Sequence, residues 1–103
     1  MELTLLTVSA CPSAPVFEAR LMAALAGHPG AVVHRREVAD YDEAAESGMH
    51  GSPTLLIDGR DPFAGPGAPA SLSCRLYRDE TGRLGPAPSV DEFRHALAAA
   101  RDL

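Results

Sequence analysis

Hydrophobic and polar positions along the chain follow two patterns, one typical of strands and one typical of helices. Continuous or alternating apolar positions predict strands, and apolar positions three to four residues apart predict helices. The predicted strands span residues 3–8, 31–38, 54–57 and 72–77. The predicted helices span residues 14–26 and 41–47, with a third that begins after Ser89. The predicted order of elements is therefore β-α-β-α-β-β-α.

Residues that start helices stand at the predicted helix ends. Asp40 and Ser89 are each followed three residues later by a glutamate, which is the spacing of a capping box. Ser13 is a better first cap than Cys11, because Pro15 then falls in the first turn, where its missing N–H is tolerated. Cys11 is therefore expected just outside the first helix.

The connections between the predicted elements limit how the strands pair. The first β-α-β crossover should be right-handed, so the first two strands should be parallel. The third and fourth strands are joined by the loop 60–70, rich in Pro, Gly and Ala, and we expect them to form a hairpin. These pairings predict a four-stranded mixed sheet between helices, in one domain that covers residues 1–103.

The composition is that of an ordinary globular chain and argues against several partners. The 103 residues have room for one hydrophobic core. The formal net charge is -5, all nine basic residues are arginines, and no basic run is present. Nucleic acid and anionic membranes are therefore not expected as partners. No targeting segment or membrane span is recognisable, so we expect a cytoplasmic protein.

One motif resembles a known family. Cys11 follows the first strand, and Gly51-Ser52-Pro53-Thr54 precedes the third, as in the thioredoxin superfamily at its smallest, glutaredoxin-like size. The resemblance covers nearly the whole chain and implies a thioredoxin-like α/β fold in which Pro53 is cis and faces a reactive Cys11. The substrate-binding residues that it implies are Pro12, Ser52, Pro53 and Thr54. It further implies that the backbone of Ser52 pairs with an incoming peptide or thiol substrate as if adding a strand.

The chain departs from this family at the reactive cysteine. The family motif is Cys-x-x-Cys, but Cys11 is followed by Pro12, Ser13 and Ala14, so a local disulfide is excluded. Leu5 stands where thioredoxins carry a buried aspartate. A monothiol mechanism remains, in which Cys11 forms a mixed disulfide that an external thiol resolves. No cofactor is predicted, and two cysteines are too few for a structural zinc site.

The second cysteine, Cys74, is predicted to be a buried structural thiol. It alternates with leucines, and free cysteines are commonly buried. In an antiparallel hairpin it would lie at the end of the strand away from Pro53, too far from Cys11 for a disulfide. Arg75 and Arg78 are expected to be solvated.

The residues leave three functions open. The first is a monothiol thiol-disulfide oxidoreductase or redox sensor that uses Cys11, with a protein or glutathione as substrate. The second is a non-catalytic module that binds a protein or dimerises, which the missing second cysteine favours. The third is capture of mercury or an organomercurial, because some short thioredoxin-like proteins with a similar segment are described as alkylmercury lyases. The electron donor and the oligomeric state stay open.

Overall fold

Residues 1–101, the part of the chain that this computed structural model describes, form three helices and seven short strands. The elements in order are β1 (Glu2–Thr7), α1 (Ala14–Ala24), β2 (Val32–Glu37), α2 (Tyr41–Ser47), β3 (His50–Ser52), β4 (Thr54–Ile57), β5 (Ser71–Cys74), β6 (Tyr77–Arg78), β7 (Leu84–Gly85) and α3 (Val90–Arg101). The three predicted helices and the first three predicted strands are confirmed. None of these helices is long and apolar enough to cross a membrane.

The central sheet contains three strands in the order β2-β1-β4. β1 runs parallel to β2 and antiparallel to β4, so Leu5 lies between Arg35 and Leu55. The prediction of a four-stranded, thioredoxin-like sheet is therefore wrong. Beyond β4, the described residues add only an isolated bridge between Ile57 and Arg60. The Pro- and Gly-rich loop that follows cannot extend this bridge into a ladder, because proline has no N–H to donate.

The predicted strand 72–77 is divided between two small sheets. β5 pairs in parallel with β3, and β6 forms an antiparallel pair with β7. The predicted hairpin between the strands 54–57 and 72–77 is therefore also wrong. The loop between β4 and β5 is long enough to carry the chain back along the molecule, and a parallel pair requires such a long connection.

Two apolar clusters cover opposite faces of the central sheet. Neighbouring residues of a strand point to opposite faces, and Leu5 belongs to one cluster while Leu6 belongs to the other. The first cluster includes Leu3, Leu5, Phe17, Leu21, Leu55, Tyr77, Phe93 and Leu97. The second consists of Leu6, Val38, Ala44, Met49 and Leu56. Helices α1 and α3 thus pack on one face, and α2 packs on the other.

The predicted caps of α2 and α3 are confirmed. The N–H of Glu43 donates to the Asp40 carboxylate at 2.8 Å, and the Glu43 carboxylate accepts from the N–H of Ala39 at 2.9 Å. This backbone hydrogen bond is the main cause that lowers the pKa of Glu43. Ser89 and Glu92 exchange backbone and side-chain hydrogen bonds at 2.9 and 3.0 Å. These caps satisfy N–H groups that have no partner inside a helix.

Gly51 is the one glycine at which the packing of β5 against β3 leaves no room for a side chain. Its φ is +115°, and an added Cβ would lie 2.9 Å from the Cβ of Arg75 and 3.1 Å from the carbonyl oxygen of Ser73. We expect Gly51→Ala to lower the free energy of unfolding by about 2 kcal/mol, because backbone strain and overpacking combine. Urea denaturation measures the loss. Gly30→Ala is the matched control, since no atom lies within 4 Å of its added Cβ; an equal loss in both variants would contradict the packing argument.

Candidate functional site

Cys11 lies in the tight loop between β1 and α1. The N-cap of α1 is Ser13, as predicted, and Pro15 falls in the first turn. The carbonyl of Cys11 accepts a hydrogen bond from the N–H of Ala14 at 3.2 Å. Cys11 therefore lies two residues before the cap, where less of the helix dipole reaches it. Its side chain is a free thiol, and the residue is 7% exposed.

The backbone before Cys11 is held in an unusual conformation. Ala10 adopts a left-handed φ of 56°, which costs a residue with a Cβ roughly 1–2 kcal/mol. The N–H of Val8 donates to Oγ of Ser52 at 3.0 Å. This hydrogen bond fixes the end of β1, and with it the start of the loop that carries Cys11, against β3.

The residues predicted around Pro53 form a closed turn. The Ser52–Pro53 peptide bond is cis, as predicted. Ser52, Pro53 and Thr54 are all buried, whereas Pro12 is exposed. Oγ1 of Thr54 donates to the carbonyl of Gly51 at 2.6 Å. The side chains of Ser52 and Thr54 therefore hold the connection between β3 and β4, and only Pro12 of the predicted substrate-binding residues faces solvent.

The strand edge on which the resemblance places a substrate is already paired within the chain. The N–H of Arg75 donates to the carbonyl of Ser52 at 3.0 Å, and Cys74 is the register partner of Ser52. β5 thus lies where an added strand would pair. A substrate that uses the backbone of Ser52 has to displace β5 from this edge.

The prediction that Cys74 is a buried thiol remote from Pro53 is wrong. Cys74 is an exposed free cysteine opposite Ser52, the residue before Pro53. The error has one physical cause, which is the direction of β5. An antiparallel hairpin with β4 would place Cys74 at the far end of the sheet, but parallel pairing with β3 brings it to Ser52.

Arg75 is not solvated as predicted, whereas Arg78 is exposed. The Arg75 side chain is 12% exposed, and the side chain of its partner Asp61 is 3% exposed. Nη1 of Arg75 lies 2.6 Å from Oδ2 of Asp61 and 3.3 Å from Oγ1 of Thr54. Sequence reasoning missed this pair, although Arg75 is two residues before the buried Tyr77 and so has the parity of an inward-facing position.

Tyr77 connects Pro53 with Arg75. Its hydroxyl donates to the carbonyl of Pro53, and the guanidinium carbon of Arg75 lies 4.5 Å from the centroid of its ring. Burial raises the pKa of Tyr77; the charge of Arg75 opposes this shift, and the charges of Asp61 and Cys11 add to it. The phenol therefore remains a protonated donor at neutral pH.

A separate groove lies between α3 and the loop after β4, with a volume of about 1210 Å³. Its apolar lining consists of Ile57, Pro62, Phe63, Ala96, Ala99 and Ala100. Its charged and titratable lining consists of Asp58, Arg60, Asp61, Glu80, Asp91, Glu92 and His95. The lining extends from Ile57, the last residue of β4, to Asp61, the partner of Arg75, and to Phe63, whose ring centroid lies 5.8 Å from that of Tyr77; it does not include Cys11.

Neither a metal site nor a relative identifies the protein. In residues 1–101, no group of three or more His, Cys, Asp and Glu side chains is placed to hold a metal ion. No family model, no curated protein and no solved structure matches the chain. The resemblance to thioredoxins stays a prediction from a short motif, and a function has to be argued from the site itself.

The buried ion pair is expected to be important for stability. Asp61→Ala should lower the free energy of unfolding by about 3 kcal/mol, because it leaves the mostly buried guanidinium of Arg75 without its carboxylate. The double variant Asp61→Leu with Arg75→Met should recover most of this loss, since it removes both charges. Urea denaturation of the wild type, the single variants Asp61→Leu and Arg75→Met, and the double variant gives the coupling between the two residues. Purely additive losses would show that the pair does not act as a unit.

Proposed function

We propose that the protein carries out monothiol exchange, with Cys11 as the nucleophile that attacks a disulfide substrate beside Ser52-Pro53. The single observation that carries this proposal is the hydrogen bond from the N–H of Val8 to Oγ of Ser52, which ties the loop that carries the free thiol of Cys11 to the residue before the cis bond. Tyr77 in turn bonds to the Pro53 carbonyl. A thiol held at a defined position against a rigid turn is suited to attack a bound disulfide.

The proposed exchange conserves thiols and disulfides. The Cys11 thiolate attacks one sulfur of a disulfide R–S–S–R′, forms the mixed disulfide Cys11–S–S–R, and releases R′S⁻, which takes up a proton. A thiol R″SH, as its thiolate, then attacks the mixed disulfide. This second step releases R–S–S–R″ and regenerates the Cys11 thiolate.

The surroundings of Cys11 favour a small substrate. At 7% exposure, Cys11 offers little surface to a folded protein. The carbonyl of Ser52 already accepts from Arg75, so a peptide would have to compete with β5 for this edge. A low-molecular-weight disulfide such as oxidised glutathione avoids this competition. We therefore propose a substrate of that class, in a cytoplasm whose thiol pool keeps Cys11 reduced.

The test of this function compares the effect of removing the Cys11 thiol with the effect of removing the Ser13 hydroxyl. With glutathione as the thiol and bis(2-hydroxyethyl) disulfide as the substrate, the wild type should accelerate disulfide reduction. Cys11→Ser should return the rate to the uncatalysed background, because serine does not form a mixed disulfide. Ser13→Ala is the matched control, since this cap makes no side-chain hydrogen bond to the helix. Activity that survives in Cys11→Ser would exclude the proposed mechanism.

The groove supports a second candidate function, the binding of an amphipathic cation. Its apolar lining suits a hydrocarbon body, and the carboxylates of Asp58 and Glu80 suit a positive charge. Asp61 and Asp91 are already paired with Arg75 and Arg94. The net charge of -5 adds a general attraction for cations. This function is non-catalytic, differs from the protein-binding or dimerisation module expected from the sequence, and does not require Cys11.

Benzamidine and its neutral analogue benzamide test the groove directly. We expect benzamidine to shift the backbone amide NMR signals of Ala96 and Ala99, and benzamide to shift them much less, because only benzamidine carries a positive charge. Ala99→Leu should weaken binding by filling the groove. Ala98→Leu is the control, since Ala98 is exposed and does not line the groove. Equal shifts with both compounds, or no shift with either, would exclude a cation site.

A further inference from the structure

We propose that Cys74 is the resolving thiol for Cys11, so that the chain itself closes a Cys11–Cys74 disulfide after the first exchange step. This inference rests on the proposed function at Cys11. In this scheme the thiol of Cys74, on β5, takes the place of the external thiol that attacks the mixed disulfide on Cys11. The argument depends on where the parallel pairing of β3 and β5 places Cys74.

The register places Cys74 directly opposite Ser52. The pairing shifts between His50 and Ser52, so that β5 uses one more residue than β3 over the same stretch. Residues paired across neighbouring strands project from the same face of a sheet. Oγ of Ser52 points toward Val8, whose N–H it accepts at 3.0 Å. The side chain of Cys74 therefore projects from the face that carries the loop leading to Cys11.

The residues that follow Cys74 form hydrogen bonds with the dipeptide Ser52-Pro53. The N–H of Arg75 pairs with the carbonyl of Ser52, and the hydroxyl of Tyr77 pairs with the carbonyl of Pro53. The N–H of Val8, three residues before Cys11, pairs with Oγ of the same Ser52. The two thiols thus approach Ser52-Pro53 from separate elements, one from the loop after β1 and one from β5.

The difference in exposure suits Cys11 to the first exchange step and Cys74 to the resolving step. Cys11 is mostly buried, whereas Cys74 is exposed at the end of a four-residue strand. A disulfide requires Cα atoms within about 7 Å. Closure of the disulfide therefore requires the two cysteines to come within this distance beside Ser52.

The complete sequence of steps balances. Cys11 first attacks oxidised glutathione, which yields Cys11–S–S–glutathione and one reduced glutathione. Cys74 then attacks the sulfur of Cys11, forms the Cys11–Cys74 disulfide and releases a second reduced glutathione. The protein loses two electrons and two protons, which the two glutathione molecules carry. A dithiol such as dithiothreitol returns both cysteines to thiols.

The test follows the fate of glutathione on Cys11. Dilute protein is treated with oxidised glutathione, quenched with acid, and analysed by intact mass and by non-reducing peptide mapping. The wild type should end as the Cys11–Cys74 disulfide without a lasting adduct. In Cys74→Ser, the adduct on Cys11 should last at least about tenfold longer, because an intramolecular thiol acts at an effective concentration of about millimolar.

A displaced thiol provides the matched control. The double variant Ser73→Cys with Cys74→Ser keeps an exposed cysteine on β5 but moves it to the neighbouring position, which faces the opposite side of the strand. We expect this variant to keep the Cys11 adduct as Cys74→Ser does. Rapid closure in the double variant would show that any thiol on β5 suffices, and would overturn the assignment to the register of Cys74.

The remaining outcomes separate this inference from the proposed function. If the wild type keeps the Cys11 adduct as long as Cys74→Ser does, Cys74 is not the resolving thiol, while exchange at Cys11 stands. If Cys11 takes up no glutathione in any variant, both proposals fail. A disulfide whose rate of formation rises with protein concentration is intermolecular, and it would also overturn the role of Cys74.

Discussion

The ion pair between Arg75 and Asp61 joins the parts of the molecule on which the candidate site depends. The backbone of Arg75 pairs with Ser52, its guanidinium binds Asp61, and its side chain packs on the ring of Tyr77. Tyr77 continues the connection to Pro53. Both charged side chains are largely removed from water, so neither can lose its partner without a large cost. This pair therefore holds the loop after β4 and the strand β5 in one arrangement around the cis-proline turn.

The chemistry at Cys11 follows from this arrangement. Cys11 lies outside α1, so the helix dipole contributes less than it would at a cap. Its position instead depends on the loop that carries it. In this loop Ala10 has a left-handed φ, and the N–H of Val8 is bound to Oγ of Ser52. Because β5 occupies the neighbouring edge, the chain covers its own most suitable peptide-binding surface. The groove shares Asp61 with this arrangement, but its lining does not include Cys11, so the two candidate functions can be separated experimentally.

The site was only partly predictable from the sequence, and the reasons are physical. Cys11, Pro53 and the cap at Ser13 are local features, set by residue type and short spacing, and the structure places them as expected. Cys74 and Arg75 depend on the direction in which β5 pairs. Alternating apolar residues give the same pattern in parallel and antiparallel strands, so Cys74 was predicted at the wrong end of the sheet and Arg75 was predicted to be solvated.

By itself, the sequence determined the helices, the first strands, the caps and the presence of a thiol before a proline turn, because each follows from periodicity or from contacts within a few residues. Only the tertiary structure decided that the sheet stops at three strands, that Arg75 is buried against Asp61, and that Cys74 meets Ser52. These features require contacts between residues far apart along the chain. Such contacts are selected by packing and by the pairing of buried polar groups, and local patterns do not encode them.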